Sequence, residues 1–223
     1  MSNRKEDAKE RATTALYMFF FTILGVLLLS ILAAPYYSYL RATYMSPPPA
    51  RRINDFARFV RVAPLAVCGL VIPAAFAVYV AGGIAISQWG QSMTALGIIA
   101  LAVIALVGLW LIVTAAFWMA AVYFGTVVDP IKDRVVFQVD QESYDMMDYL
   151  TLMFIRDLPE FDTVPISAIQ RITRLHGTDL YLMGDFGSRR ISFVHKQKRD
   201  ECIYALTSCG LMPGKVFNEF EIT

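Results

Sequence analysis

Histidine, cysteine and paired carboxylates are the side chains from which most metal and acid–base sites are built, and here they are few and scattered. The two histidines are His176 and His195, and the three cysteines are Cys68, Cys202 and Cys209, with no Cys-x-x-Cys or His-Glu-x-x-His spacing among them. Cys68 lies in an apolar run and Cys202 and Cys209 share a predicted helix, so they read as small buried residues in a reducing compartment. A serine or cysteine nucleophile needs a base within hydrogen-bond reach; His195 on its hairpin strand could reach a helix residue, but nothing in the pattern supports that over a plain histidine at the strand end. Asp185-Phe186-Gly187 matches the kinase triplet by letters alone, without the glycine-rich loop, strand lysine or catalytic loop, and reads as a hairpin turn. The expectation is a chain with no catalytic residue, no metal and no cofactor.

Charge is segregated where chemistry is not. Between Asp129 and Asp162 nine acids stand against Lys132, Arg134 and Arg156, a net of −6. Between Arg171 and Arg199 seven bases, Arg171, Arg174, Arg189, Arg190, Lys196, Lys198 and Arg199, stand against Asp179 and Asp185, a net of +5. Those seven are the candidate contact residues for anionic headgroups, where each base near the surface is worth about 1 kcal/mol, or for a protein partner. The opposite reading is that the two sets are solvated faces that compensate each other within the fold, and the sequence leaves both open. Over the whole chain twenty bases meet nineteen acids, which gives no footing for nucleic-acid binding.

The elements that must carry these residues follow from hydropathy, since 57% of the chain is hydrophobic and 17% charged. Val62 to Val128 runs for 67 positions without a Lys, Arg, Asp, Glu or His. A bilayer crossing takes about 20 apolar residues, so two spans fit, at about 62–86 and 95–124, joined by the polar break Ser87 to Thr94. A polar leader over 1–14 precedes a third apolar run whose span is about 15–34. A retained helix is favoured over a signal peptide, because the leader mixes acids with bases and Pro35 follows Ala33-Ala34. Pro35 is expected to end that helix, Tyr36, Tyr37, Tyr39 and Tyr44 to form an interfacial belt, and Pro47-Pro48-Pro49 to be stiff and extended.

The loop over 41–61 carries Arg41, Arg51, Arg52, Arg58 and Arg61 against Asp55 alone. Ile53, Phe56, Phe59 and Val60 fall at helical spacing, which predicts either a short amphipathic helix with Arg51, Arg52, Arg58 and Arg61 at the membrane surface or a solvated loop. Pro73 is expected to kink its span. Ala116 with Ala120, and Ala121 with Gly125, have the small-residue spacing of close helix contacts, within one chain or in a homo-oligomer. The spans hold no ionisable residue, so no ion or substrate path is predicted. Three crossings put the 41–61 loop on the same side as the C-terminal region, and seven bases near the spans on that side against four in the leader place it in the cytoplasm.

From residue 129 to 223 the composition is that of a soluble domain. Strands are predicted at Arg134 to Asp140, Tyr149 to Arg156, Ile166 to Leu175, Leu180 to Met183 and Arg190 to His195, the last two forming a hairpin. The apolar period then changes to 3.6, giving a helix from about Gln197 to Ser208 with Cys202, Ile203, Leu206 and Cys209 on its inner face and Asp200 and Glu201 in its first turn. A final short strand falls at Lys215 to Ile222.

Strands closed by one C-terminal helix, directly after paired membrane helices, resemble the membrane-anchored bacterial PH-like domains. The residues that carry the likeness are Pro165 to Ile172, the strand-turn-strand from Leu180 to Val194 and the helix Lys198 to Ser208. The resemblance implies an α-helical transmembrane region followed by a small α+β PH-like domain, in the bacterial inner membrane. The layout also looks like the accessory inner-membrane proteins of conjugative plasmids, including those that mediate entry exclusion. The function expected is that of a non-enzymatic binding protein in contact with the bilayer and with a membrane or cytoplasmic protein. The alternatives are an adaptor for anionic phospholipid, or a subunit that completes a transporter or enzyme site in an oligomer.

Overall fold

Pro35 does not stop the first helix. The computed structural model describes residues 2–87, 95–139, 153–175, 177–209 and 216–218, and in it α1 runs unbroken over Ser2–Tyr44. Proline inside a helix removes one hydrogen bond and costs about 3 kcal/mol. The turns beyond it are held by packing, because Tyr36, Tyr37, Leu40 and Tyr44 all join one apolar cluster with Phe124, Val127 and Val136. Three of the four tyrosines expected in an interfacial belt are therefore used in packing, while Tyr39 is exposed.

The chain divides into two compact units, Met1–Leu32 with Ala63–Ala116, and Ala33–Val62 with Phe117–Thr223. The first is helical. It takes the early part of α1, the end of α2 (Phe56–Ala66), α3 (Ile72–Ser87) and most of α4 (Ala95–Phe124). Among the described residues three stretches are long and apolar enough to cross a membrane: Ile23–Tyr44, Phe56–Ile84 and Gly97–Phe124. Between α2 and α3, Val67–Val71 winds as a π-helix in which the Ile72 N–H reaches Val67 O. This wider turn lies just before Pro73, where a regular turn would bring the ring against a carbonyl and leave it unpaired.

Small residues make the contacts inside this unit. A Cβ on Gly25 would come within 2.9 Å of Val67, and one on Gly108 within 2.7 Å of Val78. Ala63, Ala66, Ala74, Ala115 and Ala116 are buried, as are Ala120 and Ala121 further along α4. The small-residue spacing therefore serves packing within the chain. The outward positions are large and apolar: Ile31 is 70% exposed, Phe76 67%, Tyr79 78% and Leu106 66%.

Among the described residues the second unit holds two four-stranded sheets, and its first strand comes from the arginine-rich loop. Arg51–Ile53 is β1, paired antiparallel with β2 (Thr126–Asp129). Then follow β3 (Arg134–Gln138) and β4 (Phe161–Pro165), in the order β1-β2-β3-β4. Helices α2, α3 and α4 are thus inserted, in sequence, into a β-hairpin, and the sheet-bearing unit reaches beyond the 129–223 segment expected of it. Sheet one is covered on both faces. Val128, Val135 and Phe137 point into the main core, while Val127 and Val136 meet Leu40 and Phe124. A strand buried on both sides reads as a continuous apolar run, which is why Thr126 to Val128 was indistinguishable from the end of a span.

Sheet two has the order β7-β6-β5-β8, from β5 (Ile169–Leu175), β6 (Asp179–Gly184), β7 (Gly187–Ser192) and β8 (Val216–Asn218), with β8 parallel to β5 and the rest antiparallel. The β6–β7 hairpin turns at Asp185-Phe186, as the triplet reading required, and Gly184 and Gly187 close it. Gly187 has φ +85°, and a Cβ on Gly184 would strike Ala168 O and the Phe186 ring. Helix α6 (Lys196–Ser208) then lays Cys202, Ile203, Ala205 and Leu206 onto the core. It begins earlier than predicted, so Asp200 and Glu201 lie beyond its first turn.

Two strand expectations fail. Within Tyr149 to Arg156, the described part is a short helix, α5 (Met153–Asp157), the rest lying outside the described residues. Its buried Ile155 and the following Leu158 are three positions apart, a helical spacing rather than the two of a strand. Ile166 to Leu175 is not one strand, because residues 166–168 turn between β4 and β5. The Ile166 N–H donates to Asp133 O, and the Ala168 N–H to Pro165 O. Pro47-Pro48-Pro49 also turns instead of extending, with the Ala50 N–H on Pro47 O.

Candidate functional site

The seven basic residues proposed as a contact surface do come from neighbouring elements, Arg171 and Arg174 from β5, Arg189 and Arg190 from β7, and Lys196, Lys198 and Arg199 from α6. Five of them face carboxylates of the same unit. Arg189 Nε lies 2.8 Å from Asp162, Arg190 Nη2 2.8 Å from Asp179, Lys198 Nζ 2.7 Å from Glu201 and Arg199 Nη2 2.8 Å from Asp200, with Arg174 Nε 3.8 Å from that same aspartate. Arg199 is buried and also donates to Gly177 O. Asp200 and Glu201 stand immediately past the end of the basic window in sequence, so its +5 net overstated the charge that the fold leaves in the open. Lys196 is exposed beside Gly177. His195, exposed at the N-terminal boundary of α6, makes no side-chain cap, and His176 lies outside the described residues.

The arginines expected at the membrane surface have separate fates. Arg52, on β1, enters an aromatic cage, its guanidinium carbon 5.5 Å from the Tyr37 ring, 5.1 Å from Tyr123 and 5.8 Å from Phe124. Its Nε donates to Phe124 O at 2.8 Å, Nη2 to Tyr123 O at 2.7 Å and Nη1 to the Tyr37 hydroxyl at 2.7 Å. The last carbonyls of a helix have no partner within it, and a cation there also answers the helix dipole. Arg52 does both for α4. Arg134, on β3, does the same for α1: it donates to Thr43 O at 2.9 Å, over the Tyr44 ring. Arg51 lies over Tyr204 at 5.6 Å, Arg58 donates to Ser192 O at 3.3 Å, and Arg61 is exposed on α2. The sequence showed these residues only as bases in a count; nothing in its spacing linked Arg52 to a helix end more than 70 positions away.

Asp55 was legible as the lone acid of its loop, though not what it does. It is 6% exposed, its backbone carbonyl opens α2, and its carboxylate accepts the Val194 N–H. The other carboxylate oxygen and Gln138 Oε1 are buried acceptors with no hydrogen-bond partner among the described residues, and both residues line a cavity of about 20 Å3 with Arg58 and Arg190. That is room for about one water molecule. Burial pushes the Cys202 thiol up to about 12, which makes it inert at neutral pH. Cys209 is raised too, by burial, with Ser208 and Arg51 pulling against it. Among the described residues no three His, Cys, Asp or Glu side chains gather as a metal site would need. No protein-family model, curated protein or solved structure matches the chain.

Proposed function

We propose that the chain is a multi-pass inner-membrane protein without catalytic activity, whose cytoplasmic PH-like domain binds a protein partner by its open strand edge. The spans support the membrane part, since side chains such as Ile31, Tyr79 and Leu106 are exposed in a way that is unfavourable in water and favourable in lipid. Pairing of β1 with β2 supports the topology, because it requires the 41–61 loop and the C-terminal region on one side. A four-stranded sheet, a hairpin and a closing helix support the PH-like resemblance.

The observation that carries partner binding is β7. It is the terminal strand of its sheet among the described residues, exposed over Gly187 to Arg189. With Gly184 and Gly187 as the closing hydrogen-bonded pair, the alternation of an antiparallel ladder turns the Ser188 N–H outward. Such an edge is a template for an added strand. The ion pairs of the basic residues argue against the alternative of a lipid-binding basic face, because they leave little uncompensated charge for a headgroup layer.

Photo-crosslinking in cells from a reactive side chain at position 189, the exposed neighbour on the same strand, tests the reading. A protein adduct is expected, and Ser188→Pro, which removes an outward N–H without a ladder bond, should abolish it; recovery of no protein adduct refutes the binding role. Within this reading the biological setting is an accessory role in plasmid conjugation such as entry exclusion. A recipient cell that expresses the chain should then take up less plasmid than one without it, and equal uptake removes that assignment.

A further inference from the structure

A cavity of about 560 Å3 opens at the C-terminal end of α1, walled by Tyr37, Ser38, Arg41, Met45, Ser46 and Pro47. We infer that it holds the headgroup of an anionic phospholipid taken from the bilayer, with Arg41 as the phosphate-binding cation and the Tyr37 hydroxyl as a second donor. The inference rests on the membrane-spanning reading of α1.

Most other arginines of this unit are engaged, Arg61 on α2 excepted. Arg52 and Arg134 are engaged at helix ends and Arg189, Arg190 and Arg199 on carboxylates. Arg41 is exposed, and its guanidinium makes no hydrogen bond or ion pair among the described residues. The hydroxyls around it divide in the same way. Ser38 donates to Ala34 O at 3.0 Å and Ser46 to Asp129 at 2.6 Å, so neither has a hydrogen to offer. The Tyr37 oxygen accepts from Arg52, and its own hydrogen remains, strengthened as a donor by the cation behind it. Tyr37 and Arg41 are four positions apart on one helix and so occupy one face of it.

Two features keep the site from repelling an anion. Asp129, behind Ser46, is buried and held by Ser46, the Ile131 and Lys132 N–H groups and Arg134. The end of α1, whose carbonyls would oppose a phosphate, is capped by Arg134 at Thr43. Met45 and Pro47 supply apolar wall beside the donors, suited to the glycerol part of a lipid. Arg41 is also the first charged residue after 29 uncharged positions, the place where a spanning helix meets the phosphate layer. A soluble phosphate ester offers the same charge but does not use that depth.

Native mass spectrometry of the full chain in detergent, with added phosphatidylglycerol or with phosphatidylcholine of the same acyl chains, tests the site. One phosphatidylglycerol should be retained per chain, in preference to phosphatidylcholine. Arg41→Gln should weaken retention about fivefold, the worth of one interfacial cation, Arg41→Lys should restore most of it, and Tyr37→Phe should lose about twofold. Equal retention by wild type and Arg41→Gln, or by the two lipids, overturns the inference, and displacement by glycerol 3-phosphate assigns the site to a soluble ester instead. Alkaline carbonate treatment of membranes separates the failures: a chain that is stripped off refutes the spanning reading, whereas one that stays while Arg41→Gln binds lipid normally refutes the headgroup site alone.

Discussion

The helical unit and the sheet-bearing unit satisfy the same requirement, that buried backbone groups be paired, by opposite means. In the first, the described backbone is helical and pairs along each helix, and close contacts between helices include Gly25 on Val67 and Gly108 on Val78. Large apolar side chains face outward, and no charge is needed anywhere between Ala63 and Ala116. In the second, two sheets enclose a core of Ile, Val, Leu and Phe, and the ends of α1 and α4 within this unit are finished by arginines from strands. One charge type therefore has two meanings in this chain. An arginine near an apolar run marks the membrane boundary when counted along the sequence, yet Arg52 and Arg134 act as helix caps in a folded domain.

The sharpest way to break the second unit is at the junction of its elements. Gly125 ends α4 with φ +75°, its N–H on Ala121 O, and a Cβ there would strike Ile53 O of β1. Gly125→Ala combines a left-handed residue, at about 1–2 kcal/mol, with overpacking at about 1–3 kcal/mol. Thermal unfolding of the detergent-solubilised chain should show a loss of roughly 2–5 kcal/mol, and an unchanged midpoint would mean that β1 does not pack on the end of α4. Arg52→Ala comes next. It leaves the Tyr123 and Phe124 carbonyls unpaired and removes charge-assisted bonds worth about 1.5–3 kcal/mol each, not additively. A loss of roughly 2–3 kcal/mol is expected, and Arg52→Lys should recover less than half, since a point charge cannot fork between two carbonyls and a hydroxyl. In the helical unit the equivalent lesion is purely steric. Gly108→Val should cost roughly 1–3 kcal/mol, with no dependence on salt, whereas the loss at Arg52 should weaken as salt rises.

Much of the helical unit was legible. The span predicted over 95–124 has the bounds of α4, and the helix from Phe56 through Ser87 contains the predicted 62–86. Long apolar runs leave few alternatives. The β6–β7 hairpin and α6 were legible for a similar reason, a clean change from a period of two to 3.6. What sequence could not reveal is pairing at a distance. Arg51–Ile53 is three residues long and finds its partner strand more than 70 positions on, so no local period identifies it. The neutralisation of the basic cluster by Asp162, Asp179 and Asp200 is likewise a matter of tertiary register. The extension of α1 past Pro35 and the turn at Pro47 show tertiary packing overriding a local rule.

Smaller effects sharpen the contrast in what burial does to chemistry. Cys202 lies wholly inside the core and its thiol is raised from 9.0 to about 12, so the folded chain keeps a proton that the unfolded chain loses. Stability from this group is intact below pH 9 and falls as pH rises from there towards 12, by up to about 1.4 kcal/mol per pH unit. Cys202→Ala should flatten the decline of the unfolding midpoint between pH 9 and 11, and an identical slope in both proteins would show that Cys202 is not the group responsible. The native chain should also leave Cys202 unlabelled by maleimide at pH 7, while Cys209, half-buried, reacts slowly.

The smallest effect expected belongs to an ion pair that looks strong on distance alone. Arg189 and Asp162 lie 2.8 Å apart and join β7 to β4, but their side chains are 46% and 33% exposed. An exposed pair gains little Coulomb energy in high dielectric and is screened by salt. Arg189→Ala should therefore change stability by less than about 1 kcal/mol, and a double-mutant cycle with Asp162→Ala should give a coupling within that bound. Arg190, beside it in sequence but largely buried against Asp179, should couple more strongly to its partner in the same cycle. If the two pairs proved equal, burial would not be what sets the worth of a charge in this domain, and the contrast between capped arginines inside it and screened ones on its surface would fail.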